Sequence, residues 1–233
     1  MAPTSTNSFA ALEPHGDDES VATSRVDKSN ASTSSEEHDQ LSKPGGRKSL
    51  KNPLVWVDLE MTGLDIERDT IIEVACIITD GELQRMVQGP ATAIHHDDSV
   101  LESMNDWCKE HHGKSGLTQR VRESAVSLRE AEDQLLAFIQ EHVEENAAQL
   151  AGNSIHVDRL FLLKYMPRVT AYLNYRIVDV SSIKELSRRW FPKAYRKAPR
   201  KAMAHTALSD IKESIEELKY YRKAVFKHPN QVK

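Results

Sequence analysis

Four acidic residues and one histidine stand in three separated places along this chain of 233 residues, and their types suit cation binding and proton transfer. Asp58 and Glu60 lie in Pro53-Leu54-Val55-Trp56-Val57-Asp58-Leu59-Glu60. Asp158 closes Gly152-Asn153-Ser154-Ile155-His156-Val157-Asp158, and His205 and Asp210 open the last helical stretch. Carboxylates on apolar elements are costly to bury unless they are paired or bound to metal. If these four converge, they form an oxygen-only site for hard divalent cations. Such a site is able to hydrolyse a phosphodiester with water.

The elements around these residues decide whether they converge. Leu54 to Leu59 is an apolar run of strand length, so Asp58 and Glu60, two apart, project from one face. Two adjacent like charges repel and raise one pKa unless a cation neutralises them. The competing reading is an exposed edge strand with solvated acids. Asp158 begins a helix, where the helix dipole favours an acid whatever its function. His205 and Asp210 are five residues apart, a separation of about 140° on a regular helix. They can face one site only if His205 lies at or before the helix start.

Further strands are predicted for Thr70 to Thr79, rich in β-branched residues, for Leu83 to Val87 after the Asp80-Gly81 turn, and for Ala91 to His95. Ser127-Leu128-Arg129-Glu130 reads as a capping box opening a helix through Leu135 and Ile139. Gln149 to Gly152 and Ile177 to Val180 read as strands, and Asp158 to Met166 as a helix ending before Pro167. Ser182-Ile183-Lys184-Glu185 opens another helix, and a final helix runs from about Thr206 to Val225. This order predicts an α/β domain with a mixed central sheet flanked by helices.

The combination of segments carries a resemblance. The run Asp58-Leu59-Glu60-Met61-Thr62-Gly63-Leu64, then Gly152-Asn153-Ser154 leading to Asp158, then His205-Thr206-Ala207-Leu208-Ser209-Asp210, resembles the DEDDh exonucleases. Within that superfamily the chain most resembles the oligoribonucleases. The narrower likeness rests on Met104-Asn105-Asp106-Trp107-Cys108, on His111 to Leu117, and on Tyr175-Arg176-Ile177-Val178-Asp179-Val180-Ser181-Ser182-Ile183-Lys184-Glu185-Leu186. It spans about Pro53 to Lys227.

The resemblance implies a ribonuclease H-like fold, a homodimer, and 3′-to-5′ hydrolysis of short single-stranded RNA to 5′-mononucleotides. It implies that Asp58, Glu60, Asp158 and Asp210 hold two divalent cations, Mg²⁺ or Mn²⁺, with His205 as the base. Leu64 is expected to wedge against bases and Trp107 to stack on a nucleotide; without the resemblance, Trp107 reads as an ordinary core aromatic. Asn153 and Ser154 match positions that contact the terminal nucleotide. Tyr175, Arg176, Ser181 and Ser182 match residues that approach the neighbouring protomer's site. There the tyrosine stands near the scissile phosphate, and the arginine and serines cap the 5′ phosphate. Many relatives carry histidine just before this tyrosine, and here it is Asn174. Any role of that histidine does not carry over. The alternative activities are a DEDDh exonuclease acting on longer RNA or DNA 3′ ends, and an inactive nucleic-acid-binding relative.

Composition bounds the rest. A net charge of −4 argues against a uniformly basic nucleic-acid binder but leaves room for a local groove. Arg188-Arg189-Trp190 and Tyr195 to Lys201 concentrate positive charge, either to attract oligonucleotides or as a solvated face. Two cysteines cannot make a disulfide framework, and Cys76 reads as a buried reduced thiol. Adjacent histidines, His95-His96 and His111-His112, are poor spacing for one zinc ion. Residues 1–48 are rich in Ser, Thr, Asn, Asp and Glu and read as a disordered tail ahead of an exonuclease domain at 49–229. The acids in that tail disfavour a mitochondrial transit peptide, and no apolar run is long enough to span a membrane. The expectation is a cytoplasmic enzyme with no small-molecule cofactor.

Overall fold

The computed structural model describes residues 50–199 and 206–227. The predicted tail and His205 lie outside the described residues. Five strands form one sheet: β1 (Leu54–Met61), β2 (Ile71–Thr79), β3 (Met86–Ala93), β4 (Gln149–Gly152) and β5 (Asn174–Asp179). Their spatial order is β3-β2-β1-β4-β5. β1, β2 and β3 pair antiparallel, whereas β4 runs parallel to β1 and β5 parallel to β4. The mixed sheet agrees with the sequence reading.

Three short helices, α1 (Asp98–Glu102), α2 (Asp106–Lys114) and α3 (Leu117–Glu123), precede α4 (Leu128–His142). Then come α5 (Ile155–Tyr165), α6 (Pro167–Tyr172), α7 (Val180–Trp190), α8 (Pro192–Tyr195) and α9 (Ala207–Ala224). The two faces of β1 serve different layers. Val55, Val57 and Leu59 share a core with Leu135 and Ile139 of α4 and Phe161 and Leu162 of α5. Trp56 packs on the other side with Ile211, Ile215 and Tyr221 of α9. Period-two alternation therefore carries Trp56, Asp58 and Glu60 toward α9.

Several element boundaries differ from the sequence reading. The two strands predicted at Leu83 to Val87 and Ala91 to His95 are one strand, β3. Leu83 lies in the turn with φ 58°. The Gly89-Pro90 pair looks like a break, yet it sits inside an edge strand, where proline is tolerated. Gly89 is required there, because a Cβ would fall 2.3 Å from the Phe138 ring of α4. Helix α5 starts at Ile155, so Asp158 is its fourth residue and not its opening. Helix α7 starts at Val180 with Asp179 as its cap, not at the Ser182 box. β5 includes Tyr175 and Arg176, ahead of the strand start predicted at Ile177. The box at Ser127 forms as expected, and the final helix, predicted from about Thr206, opens with a box at Thr206 closed by Ser209 that the sequence reading does not include.

Candidate active site

The acidic centre forms where β1 outruns its parallel neighbour. β4 pairs only with Leu54 to Trp56, so β1 continues past it through Asp58 and Glu60. The Leu59 N–H is taken by Asp158, whose Oδ1 accepts it at 3.0 Å. Asp158 is 7% exposed and reaches this point from α5, on the opposite side of the sheet from α9. Asp210, in the first turn of α9, meets Asp58 and Glu60: one carboxylate oxygen of each lies within 4.8 Å of the others. The structure thus brings three of the four predicted acids into one mutual group. Asp158 stands beside it, anchored to the β1 backbone.

The surroundings of Glu60 and Asp158 disfavour their charged forms. Burial pushes the Glu60 carboxyl up to about 7, helped by the negative fields of Glu73, Asp210 and Asp158 and opposed by Arg120. Burial also pushes Asp158 up to about 7, against the lowering effect of hydrogen bonds from the N–H groups of Leu59 and Asp158 itself. Glu73 lies directly across β2 from Glu60. One Glu73 oxygen accepts from Arg120 at 2.8 Å; the other is buried without a hydrogen-bond partner. A compact oxygen-only donor set with raised pKa values fits a hard divalent cation.

A second cluster surrounds the β4–α5 turn. Ser154 adopts the left-handed conformation, φ 52° and ψ 30°. Its N–H donates to Asp179 Oδ1 and to Ser181 Oγ, both at 3.0 Å. The Ser154 and Ser181 hydroxyls are 3.2 Å apart. The neighbouring Asn153 gives its amide N–H to buried Glu217 at 3.1 Å. Ser181 therefore stands beside Ser154 of its own chain, while Ser182 is exposed on α7.

Outside these clusters, large side chains face solvent. Leu64 is 75% exposed and Trp107 67%, so Trp107 is not a core aromatic. The Trp107 ring stacks on His111 with centroids 4.6 Å apart and planes 10° apart. Tyr175 on β5 is 68% exposed, with the Arg176 guanidinium 4.6 Å from its ring centre.

Known proteins match both the sequence and the fold. An exonuclease family model (RNase_T) matches residues 55–218. Human "Oligoribonuclease, mitochondrial" is 55% identical over 179 residues, covering 77% of this chain and 76% of that protein. A "Probable oligoribonuclease" of Dictyostelium discoideum is 59% identical over 174 residues, 75% of this chain and 90% of that protein. The oligoribonuclease of Marinobacter nauticus is 53% identical over 174 residues, 75% of this chain and 96% of that protein. The chain belongs to the oligoribonuclease family.

Among solved structures, the RNase domain of yeast Pop2 aligns with TM-score 0.58 at 14% identity, over 77% of this chain and 80% of that one. E. coli exonuclease I with a dA13 oligonucleotide aligns with TM-score 0.57 at 13% identity, over 74% of this chain but only 41% of that one. At such identities the likeness is one of fold. Family membership makes the protein a nuclease, and the acidic group fits the divalent-metal dependence of its exonuclease family.

One oligoribonuclease residue at the centre escaped the sequence reading. His112 of α2 is buried, with Nε2 3.0 Å from the Met61 carbonyl and Nδ1 3.9 Å from Glu60 Oε2. The carbonyl can only accept, so Nε2 carries the proton and the Nδ1 lone pair faces the carboxyl. Burial lowers the His112 pKa, which keeps the ring neutral. The i, i+4 spacing from buried Cys108 would have revealed its inward face, had α2 been recognised. The basic run on α7 is less available than its sequence suggests: Arg188 and Arg189 both bond Glu185, at 2.9 and 2.5 Å. Among the described residues, no helix is long and apolar enough to cross a membrane.

Proposed function

We propose that residues 49–229 hydrolyse short oligoribonucleotides from the 3′ end to 5′-mononucleotides, using two Mg²⁺ or Mn²⁺ ions held by Asp58, Glu60, Asp158 and Asp210. The observation that carries this reading is the approach of three carboxylates to within 4.8 Å beside buried Asp158, in an oligoribonuclease-family chain. When bound, the ions lower the pKa of the attacking water and stabilise the leaving 3′ oxygen. His205, which precedes the Thr206 cap of α9, accepts the proton of that water, a task suited to a near-neutral imidazole. The water oxygen bonds to phosphorus as the bond from phosphorus to the 3′ oxygen breaks. The 3′ oxygen takes up a proton, and the terminal nucleotide departs with a 5′ phosphate. Leu64 wedges and Trp107 stacks on the bases, which suits a sequence-tolerant enzyme because every base offers an aromatic face. Asn153 and Ser154 hold the terminal nucleotide, and Ser181, Ser182 and Arg176 cap the 5′ phosphate.

The working unit in this reading is a homodimer in which Tyr175 and Arg176 complete the partner subunit's site. Support comes from the exposure of Tyr175 on the edge strand β5 and from exposed Leu160 and Leu163 on α5. A cytoplasmic location rests on the acidic composition of residues 1–48; several relatives are named as mitochondrial, and cell fractionation separates the two.

Single-turnover cleavage of 5′-labelled RNAs of two to ten nucleotides with Mg²⁺ or Mn²⁺ tests the substrate class. Fastest turnover at the shortest lengths supports it. A rate that rises with length points instead to a long-substrate exonuclease. Mixing Arg176→Ala chains with Asp58→Ala chains tests the shared site, because some heterodimers then regain one complete centre. No recovery of activity refutes it.

A further inference from the structure

We infer that Asp179 is a positioning residue for substrate: it holds the Ser154–Ser181 hydroxyl pair in place and thereby sets the preference for short RNA. The inference rests on the reading above in which this pair meets the substrate's terminal groups. Asp179 ends β5, caps α7 and, among the described residues, lies outside the Asp58, Glu60 and Asp210 group. Its Oδ1 accepts from the Ser181 N–H at 2.9 Å and from the Ser154 N–H at 3.0 Å. Its Oδ2 lies 3.4 Å from His156 Nδ1. One side chain thus ties together three segments: the β4–α5 turn, the end of β5 and the first turn of α7.

Two features show what this tie accomplishes. Ser154 is in the left-handed region, which a serine keeps only when its surroundings hold it. The Ser154 N–H is also shared with Ser181 Oγ. Without Asp179, that N–H would rest on the Ser181 hydroxyl alone and draw it away from a ligand. With Asp179 present, the two hydroxyls stay paired at 3.2 Å, one donating to the other, and the accepting hydroxyl keeps its own O–H for an anionic or sugar oxygen. The turn is held from its other end as well. Glu217 is 4% exposed and joins the Asn153 amide to Lys184, each at 3.1 Å. The turn is therefore built to a fixed shape, and Asp179 supplies its contact with α7.

Two substitutions in the full-length chain separate positioning from folding. In Asp179→Ser, a good helix cap remains. The shorter side chain can still accept from Ser181 but no longer reaches Ser154. In Asp179→Asn, the amide oxygen can accept both N–H groups. Asp179→Ser is expected to raise KM for a dinucleotide about 10-fold. KM for a seven-nucleotide RNA, and kcat for both substrates, should change by less than about 3-fold on the same reasoning. Asp179→Asn is expected to restore the dinucleotide KM to within about 3-fold of the parent. Ser181→Ala, measured alongside, tests the reading beneath. If Ser181→Ala raises the dinucleotide KM and Asp179→Ser does not, the inference is overturned while the cap survives. If Ser181→Ala leaves that KM unchanged, the cap fails and the inference falls with it. Equal losses at both lengths, or Asp179→Asn behaving like Asp179→Ser, would also overturn positioning.

Discussion

Two regions of this molecule treat their acids in opposite ways. Glu132 on α4, 7% exposed at the side chain, is fully answered. Its oxygens accept from the Arg168 backbone N–H at 2.8 Å and from the Arg168 guanidinium at 2.9 and 2.7 Å. Glu60 and Asp158 lie among other acids, with Arg120 as an indirect counter-charge through Glu73, and burial pushes both up to about 7. A buried carboxylate that keeps its arginine helps join α4 to α6. A group of half-buried carboxylates brought within 4.8 Å of one another beside buried Asp158 is poised for a mobile cation. The contrast predicts opposite responses of stability and activity in the two regions.

The largest effect is expected at the centre. Asp58→Asn should lower turnover on the order of 10⁴-fold or more, because several kcal/mol of transition-state stabilisation are lost with the ions. In chelator the same variant should melt close to the parent, since the amide keeps the size and shape of the side chain. A substantial drop in melting temperature would mean that the carboxylate supports the fold. His205→Ala should cost about 10² to 10⁴ in kcat. It should also leave the cation-induced rise in melting temperature intact; loss of that rise would make His205 a ligand.

The Glu132 region should show the reverse pattern. Arg168→Met leaves the buried Glu132 carboxylate without its guanidinium and should lower the stability of the chain. Denaturant unfolding measures this, and kcat of the remaining folded enzyme should be unchanged. A cation response at this region would erase the comparison.

The pH dependence sharpens it further. Folded-state values near 7 for Glu60 and Asp158 exceed their ordinary values of 4.5 and 3.8, so the folded protein holds protons that the unfolded chain releases. In chelator, their contribution is fully present below pH 4 and is lost as pH rises through about 7. Adding Mg²⁺ or Mn²⁺ at pH 8 should restore stability, by about 2.7 kcal/mol at one hundred times Kd. At pH 5, where protons compete, the gain should be smaller. Thermal melts with and without cation at both pH values test the sign. The smallest effect belongs to the exposed rim. Trp107→Ala should raise KM about 10-fold, the worth of one stacked base, with stability unchanged within about 0.5 kcal/mol. A marked loss of stability would make Trp107 a packing residue.

The strand bearing Asp58 and Glu60, the β4 segment, and the cap at Ser127 were legible because each depends on local pattern. The misread boundaries depended on partners distant in sequence. Gly89-Pro90 looks like a turn until Phe138 is seen to need the space above it. Ser154 and Asp179 set the starts of α5 and α7 by bonding across 25 residues. Helices α1 to α3 went unread because their buried residues are few and close on Ile72 of β2.

By itself the sequence determined the composition of the acidic set, the face shared by Asp58 and Glu60, and the family motifs that surround them. Period-two alternation and capping are properties of neighbours along the chain. Tertiary structure alone decided that Asp210 joins those two acids, and that Asp158 arrives from the opposite layer to take a free N–H past the end of β4. It also turned Trp107 outward and slid neutral His112 in beside Glu60. Those outcomes depend on burial and on charge at a distance, which arise only when remote segments exclude water from the same small volume.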